Sequence, residues 1–572
     1  MRIKVFVRIL FLALVFVIAG LFNIQIIGHE AFRKMSEGNR LRVIPFKAPR
    51  GGIFDNKGRP LAQDVICFNA AIVYNQMSDR KLLAEKLSRV LEVPLETVEE
   101  RIKNCRGKGY LTQPVVDDVG IKGATLIEEM LSDHPGLMVD VATKREYPGG
   151  EASSGVIGFL GLINSAELGR MKPYGYTIDD LIGRSGLEKQ YDTYLRGEDG
   201  GKQVEVDHRG REIRMLGFLE PVPGKNITTT IDLDLENYCY SLIKGRKGAI
   251  VALDPRDGAV KAIVTSPAFD PAVFIDKKRK KEVTPLLKND DRPMVMRAIS
   301  GIYPPGSVFK VVVALAAMER GKIKPSTEFT CNGFLDLGSI KFGCWKKDGH
   351  GVQNVILALE NSCDVFFYRT GLASGVNNII EYAEKFGIGR STGIDLPAEN
   401  PGLLPTPEWK KKRFKQKWFD GDTVNYSIGQ GYLLASPLQM AKVISVFANK
   451  GYLVNPYLTA KIGDVTIENP QRDHMNISEY AIDTIRKGLY DCVNDPGGTG
   501  GKAYNKDFVV AGKTGTSQTS KAENHGWFAG FAPYDDAKLA VVVFDEYGGA
   551  GGQFAAQAAG KVFMKAKELG LL

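Results

Sequence analysis

Apolar positions fall along this chain in three textures. The first is an unbroken block in which, from Val5 to Ile27, only Arg8, Asn23 and Gln25 are polar. As one helix that block spans about 34 Å, enough to cross a hydrocarbon core of about 30 Å. Arg2, Lys4 and Arg8 stand at its start, which favours a cytoplasmic N-terminus. A cleaved signal peptide is the alternative, but the block is long and no small-x-small cleavage site follows. The second texture, residues 29 to about 240, alternates short strand-like runs with charged helical segments. Residues 48–61 suggest a strand entering an Asn-Lys-Gly turn, and Lys81–Leu91 and Leu95–Ile102 carry helical spacing.

The third texture begins near Gly248. Ala249 to Val264 is a strand, a turn at Pro255–Gly258 and a second strand, a β-hairpin. Helical runs follow, among them Val311–Met318, Val355–Thr370 and Pro437–Asn449. Three strand-like runs, Phe508–Ala511, Trp527–Phe531 and Leu539–Phe544, then precede a closing helix near Ala555–Glu568. Strands at both ends of a long helical middle predict an α/β sandwich whose sheet pairs the two ends of the domain.

Within that region Tyr303-Pro304-Pro305-Gly306 forces a turn directly before Ser307-Val308-Phe309-Lys310. Ser307 is expected where a helix begins, with Lys310 one turn later on the same face. The following residues are apolar all round, as in a buried helix. A hydroxyl and a lysine in register there make sense if the lysine deprotonates the serine. Two companions strengthen the reading. Ser362-Cys363-Asp364 offers a second serine with a carboxylate two residues on, and Lys513-Thr514-Gly515-Thr516 follows an apolar strand. Ser-x-x-Lys, Ser-x-Asp and Lys-Thr-Gly in this order match the set shared by serine β-lactamases and penicillin-binding proteins. The chemistry fits acyl transfer through a serine ester. Ser307 is the nucleophile, Lys310 the general base, and Ser362 a proton relay to the leaving amine beside Asp364. Lys513 and Thr514 would hold a substrate carboxylate, Gly515 would let a ligand approach the backbone, and the N–H groups of Ser307 and Thr516 would form the oxyanion hole.

Composition narrows the alternatives. Of 572 residues, 44% are hydrophobic and 25% charged, values of a globular chain that is long enough for several domains. A net charge of +9 is mild, and the basic runs Lys277–Lys281 and Lys410–Arg413 suit solvated loops; no nucleic-acid partner is implied. The seven cysteines are too scattered for a disulfide framework. Four donors do gather within 33 residues: Cys331, Cys344, His350 and Cys363. Three thiolates and an imidazole complete a tetrahedral zinc set, here a structural one. A Cys331–Cys344 disulfide, a packing role for Cys363 and an ordinary loop role for His350 compete with it.

Beyond the three motifs, the chain resembles the class B penicillin-binding proteins, most closely the elongation type, nearly end to end. The matching stretches are Arg50-Gly51 with Asp55 and Gly58, Arg145–Gly149, Gly183–Tyr191, Tyr303–Gly306, Pro405–Trp409 and Gly429–Tyr432. The resemblance implies a multi-domain α/β (α+β) protein. Residues 1–28 would be a short tail and membrane anchor, 29–240 a pedestal, and 241–572 a transpeptidase domain cross-linking peptidoglycan stem peptides. It further implies inner-membrane attachment with a periplasmic catalytic domain, inhibition by β-lactams, and no cofactor in the acylation chemistry. Glycan polymerisation would fall to a partner, a RodA-type membrane glycosyltransferase, within an elongation complex that includes scaffold proteins. Two positions depart from the family pattern. Asp364 stands where many members carry asparagine, and Glu151–Gly155 lacks an expected pedestal histidine. A division-type enzyme, a hydrolase using water as acceptor, and a β-lactam sensor or inactive scaffold are the competing readings.

Overall fold

A computed structural model describes residues 2–30, 41–108, 112–178, 180–207, 212–468, 472–519 and 523–572. The chain divides into two compact units. One comprises Met1–Arg50, Asp64–Arg145 and Arg196–Gly224, the other Gly51–Gln63, Glu146–Leu195 and Lys225–Leu572.

In the first unit the apolar block is helical from Arg2 to Phe22 and closes in a wider π-type turn, Asn23–Ile27. Every residue from Ile3 to Ile27 is exposed among the described residues, and the length and apolarity of this helix fit one bilayer crossing. Helices Arg80–Leu91 and Leu95–Asn104 bury Leu83, Leu87, Val98 and Ile102 with Val115 and Ile127 in a small core. The Asp79 carboxylate caps the first of them by accepting from Leu82 N at 3.0 Å. Separately, Leu41–Phe46, Gly200–Val206 and Glu212–Leu219 form a three-stranded antiparallel sheet.

The second unit contains, in chain order, α1 (Leu233–Ile243), β1 (Gly248–Leu253), β2 (Val260–Ser266), α2 (Lys310–Glu319), α3 (Val355–Glu360) and α4 (Asp364–Ser374). There follow α5 (Pro437–Ala448), α6 (Glu479–Asn494), β3 (Ala511–Ser517), β4 (His525–Ala532), β5 (Leu539–Asp545) and α7 (Phe554–Glu568). The five strands form one antiparallel sheet in the order β2-β1-β5-β4-β3. β1, β4 and β5 are buried along their whole length, and their alternate side chains feed two separate cores. Val251, Trp527, Val542 and Phe544 pack on the side of α2, α4 and α5. Ile250, Phe528, Val541 and Val543 pack on the side of α1 and α7. The pairing of β1 with β5, joining the two ends of the domain, is the sandwich the sequence pattern predicts.

Three local expectations shift. Residues Gly306–Phe309 form a 3₁₀ turn, and the α-helix starts at Lys310, because Gly306 at φ +56° bends the entry too tightly for a regular first turn. The run Val355–Thr370 is two helices, broken at Asn361–Cys363 where Ser362 takes φ +53°. The strand expected at Phe508–Ala511 begins at Ala511 and runs through the Lys-Thr-Gly-Thr stretch itself.

Candidate active site

The turn, the helix break and the edge strand converge. Ser307 is half-buried in the 3₁₀ turn, and among the described residues its hydroxyl makes no hydrogen bond. A Cβ on Gly306 would lie 2.8 Å from the carbonyl oxygen of Thr516, so glycine is what lets this turn press against β3. On β3, a Cβ at Gly515 would come within 2.8 Å of Val308 Cγ2. The backbone of Ser307 therefore lies close to that of Thr516, the neighbourhood needed for two N–H groups to serve one oxyanion. β3 is the edge strand of the sheet, the position at which an extended ligand could pair.

Lys310 is fully buried and its Nζ has a dense set of partners. Nζ donates to Asp364 Oδ1 at 2.7 Å and to the Ser362 carbonyl at 2.8 Å, and lies 3.4 Å from Ser362 Oγ. The left-handed backbone at Ser362, unfavourable for a residue with a side chain, brings both its carbonyl and its hydroxyl within reach of the lysine. Asp364 heads α4 and is doubly used: Oδ1 meets Lys310, and Oδ2 accepts from the backbone N–H of Trp345 at 3.0 Å. The Trp345 indole N–H donates to the carbonyls of Asn361 and Ser362, both at 3.1 Å.

Lys513 on β3 is also fully buried, with Nζ 3.1 Å from the Thr514 carbonyl. Burial, reinforced by the nearby charge of Lys310, pulls its pKa down to about 8. Thr514 Oγ1 lies 2.7 Å from Thr499 Oγ1. Thus Lys310, Ser362 and Asp364 are joined by direct contact, Ser307 is joined through its turn, and Lys513 to Thr516 form one wall.

Cys331, Cys344, His350 and Cys363 also meet, with all four ligand atoms within 4.8 Å of one another. His350 Nδ1 is 3.5 Å from Cys344 Sγ and 3.7 Å from Cys331 Sγ. Zinc bonds of about 2.3 Å to sulfur and about 2.0 Å to nitrogen set S···N edges of about 3.6 Å in a tetrahedron, so the donors fit that ion. The seven cysteines are free thiols, and His350 Nε2 is buried without a hydrogen-bond partner among the described residues. Hydrogen bonding from Cys363 and then from His350 holds the Cys344 thiol well below its ordinary value. Two of these donors directly precede active-site residues, Cys344 before Trp345 and Cys363 before Asp364.

Sequence reasoning did not single out Trp345 or Thr499. Trp345 had one signal, its position next to Cys344; Thr499, in the stretch Gly497-Gly498-Thr499-Gly500, had none beyond the glycines.

Residues 248–565 match the family model described as penicillin binding protein transpeptidase domain, and residues 45–229 match the penicillin-binding protein dimerisation domain. The peptidoglycan D,D-transpeptidase MrdA of Haemophilus influenzae is 34% identical over 95% of this chain and 88% of its own length. A solved complex between penicillin-binding protein PBP2 and MreC from Helicobacter pylori superposes with a TM-score of 0.82 at 27% identity, covering 93% of this chain and 99% of that one. A structure described as a peptidoglycan synthase complex coordinating polymerization and crosslinking gives 0.77 at 29% identity, covering 98% and 97%.

Proposed function

The chain belongs to the penicillin-binding protein transpeptidases, and from that membership and the geometry above we propose how it works as a peptidoglycan D,D-transpeptidase of the elongation type. The observation that carries the mechanism is the buried Lys310 Nζ held between Ser362 and Asp364, one turn from a Ser307 hydroxyl that makes no hydrogen bond among the described residues. Ser307 Oγ attacks the carbonyl of the penultimate D-alanine of a donor stem peptide while Lys310, as the neutral amine, takes its proton. The tetrahedral oxyanion is met by the N–H groups of Ser307 and Thr516, each typically contributing about 3 kcal/mol. The bond to the terminal D-alanine then breaks, and Ser362 passes the proton to the departing amine. An amine of a second stem peptide attacks the acyl-serine, forming the cross-link and returning the proton to Ser307. Lys513 and Thr514 hold the terminal carboxylate of the donor. A β-lactam enters the first half of this cycle and stays as a stable acyl-serine.

The N-terminal helix anchors the protein by one crossing, and Arg2, Lys4 and Arg8 favour a cytoplasmic N-terminus with the catalytic unit in the periplasm. Its partners are a RodA-type membrane glycosyltransferase and scaffold proteins of the elongation complex; the relatives solved with MreC and within a synthase complex support that reading. We further propose a structural zinc held by Cys331, Cys344, His350 and Cys363. Bound there, zinc would neutralise the thiolates and pin the Cys344–Trp345 segment to the Cys363–Asp364 corner. Metal analysis of protein purified without chelator tests this: under about a tenth of an equivalent of zinc, with a disulfide among these cysteines, would end the idea.

Labelling the detergent-solubilised chain with a fluorescent penicillin, beside Ser307→Ala and Lys310→Ala, tests the mechanism. A persistent label on the wild type alone supports it. Rapid loss of label points to a hydrolase using water, and no label on folded wild type points to a scaffold.

A further inference from the structure

Thr499 occupies a position where three parts of the active site meet. It lies in the loop after α6, and that loop is fixed by close packing: a Cβ on Gly498 would fall 2.4 Å from the Cys492 carbonyl oxygen, and one on Gly552 would fall 2.6 Å from the Thr499 carbonyl oxygen. The Thr499 hydroxyl is 2.7 Å from Thr514 Oγ1 on β3, 3.3 Å from Cys492 Sγ on α6, and 3.3 Å from the carbonyl oxygen of Glu360, the last residue of α3 before Asn361-Ser362.

Three neighbours and one proton make the direction of these bonds informative. A hydroxyl donates once. If Thr514 is to donate to a substrate carboxylate, which is the role assigned to it above, it has no proton left for Thr499. At 2.7 Å Thr499 must then be the donor, since two oxygens that close with no proton between them would repel. Thr499 in turn can accept from the Cys492 thiol, a buried group with a proton to give. Without substrate the same atoms can be satisfied the other way, with Thr499 donating to Glu360 and Thr514 donating to Thr499. Exchanging the two states requires only two hydroxyl rotations.

We propose that Thr499 is a positioning residue for the donor carboxylate: through a chain Cys492 Sγ–H to Thr499 Oγ1–H to Thr514 Oγ1–H it fixes the Thr514 hydroxyl as a donor facing the substrate. The inference rests on the reading of Thr514 as a carboxylate ligand, and the test separates the two. The rate constant for acylation by benzylpenicillin, and by its uncharged methyl ester at concentrations giving measurable acylation, is obtained by intact-protein mass spectrometry. The proteins are the full chain in detergent and its Thr499→Val, Thr499→Ser and Thr514→Val variants, each checked for unaltered thermal midpoint. Thr499→Val should slow acylation by the acid about tenfold and leave the ester rate within about twofold, the loss of one hydrogen bond to a charged group. Thr499→Ser should restore the acid rate. Thr499→Val should add little in a Thr514→Val background. If Thr514→Val slows acid and ester equally, the carboxylate role of Thr514 fails and the inference with it. If Thr514→Val is selective for the acid while Thr499→Val slows both equally, or neither, Thr499 is only part of the scaffold and the inference alone is overturned.

Discussion

The low pKa of Lys513 makes carboxylate recognition sensitive to pH in a range where most lysines are silent. Its ammonium ordinarily holds its proton to about 10.5, and burial brings this to about 8. That difference corresponds to about 3 kcal/mol of lost hydration of the charged form, an order-of-magnitude figure for a group with no exposed surface. The sign follows from the depressed value. Between pH 8 and 10.5 the unfolded chain keeps this proton and the folded chain does not, so the destabilisation that Lys513 imposes is complete below pH 8 and is relieved as pH rises to 10.5. Recognition runs oppositely: above pH 8 the free enzyme presents a neutral amine to an anionic ligand and must first recover a proton. Acylation by benzylpenicillin should therefore fall towards tenfold per pH unit above about 8, relative to Lys513→Arg, whose guanidinium stays charged. Taking the ratio of the two profiles, by stopped-flow or quenched mass spectrometry from pH 6.5 to 9.5, cancels any limb arising from deprotonation of the general base. The methyl ester should show no such fall. A ratio flat to pH 9.5, or an equal fall for acid and ester, would refute the reasoning.

Other expectations follow from the same contacts. Ser307→Ala should abolish acylation while leaving the thermal midpoint within about 2 °C, because the side chain is half-buried and makes no hydrogen bond among the described residues. Asp364→Asn should be milder, slowing acylation roughly 10- to 100-fold: an amide can accept from Lys310 or from Trp345 N but not both, which corresponds to about 1–3 kcal/mol. Were that variant as inactive as Ser307→Ala, the supporting role given to Asp364 would be wrong. Trp345→Phe keeps the backbone bond to Asp364 but loses the indole bonds to Asn361 and Ser362, and should slow acylation about fivefold, the effect of about 1 kcal/mol. An unchanged rate would show that the Ser362 corner holds itself.

What the sequence could reveal followed locality. Ser307 and Lys310 are three residues apart, and the apolar run behind them betrays a buried helix, so the proposed nucleophile and base could be picked out from a single stretch. The β1–β2 hairpin and the closing strands were legible because their apolar runs are bounded by turn residues. The entry to α2 was harder, since the 3₁₀ turn is imposed by the approach of Gly306 to Thr516, more than 200 residues away in sequence. The strand carrying Lys513 was placed too early because two glycines and two threonines look like a loop until an edge position beside β4 makes them a strand. Trp345 and Thr499 were hidden for the same reason. An indole and a hydroxyl have no local pattern that announces a role, and theirs arises only when α3, α6 and β3 come together.

The order of strands in the catalytic sheet also has a temporal side. A ribosome delivers β1 and β2 first, then the segments bearing Ser307 and Ser362, and only at the end β3, β4 and β5. Until β5 is synthesised, β1, whose every residue is buried in the finished protein, has one open edge, and α7, which helps cover the Ile250 side of the sheet, is still to come. A nascent chain that has reached Asn494 thus carries Ser307, Lys310 and Ser362 but lacks the wall formed by Lys513 to Thr516, and it has a sticky strand that invites misassociation. Reactivity towards cell-wall peptides and antibiotics consequently switches on in the last tenth or so of translation, and β1 needs shielding during the preceding interval.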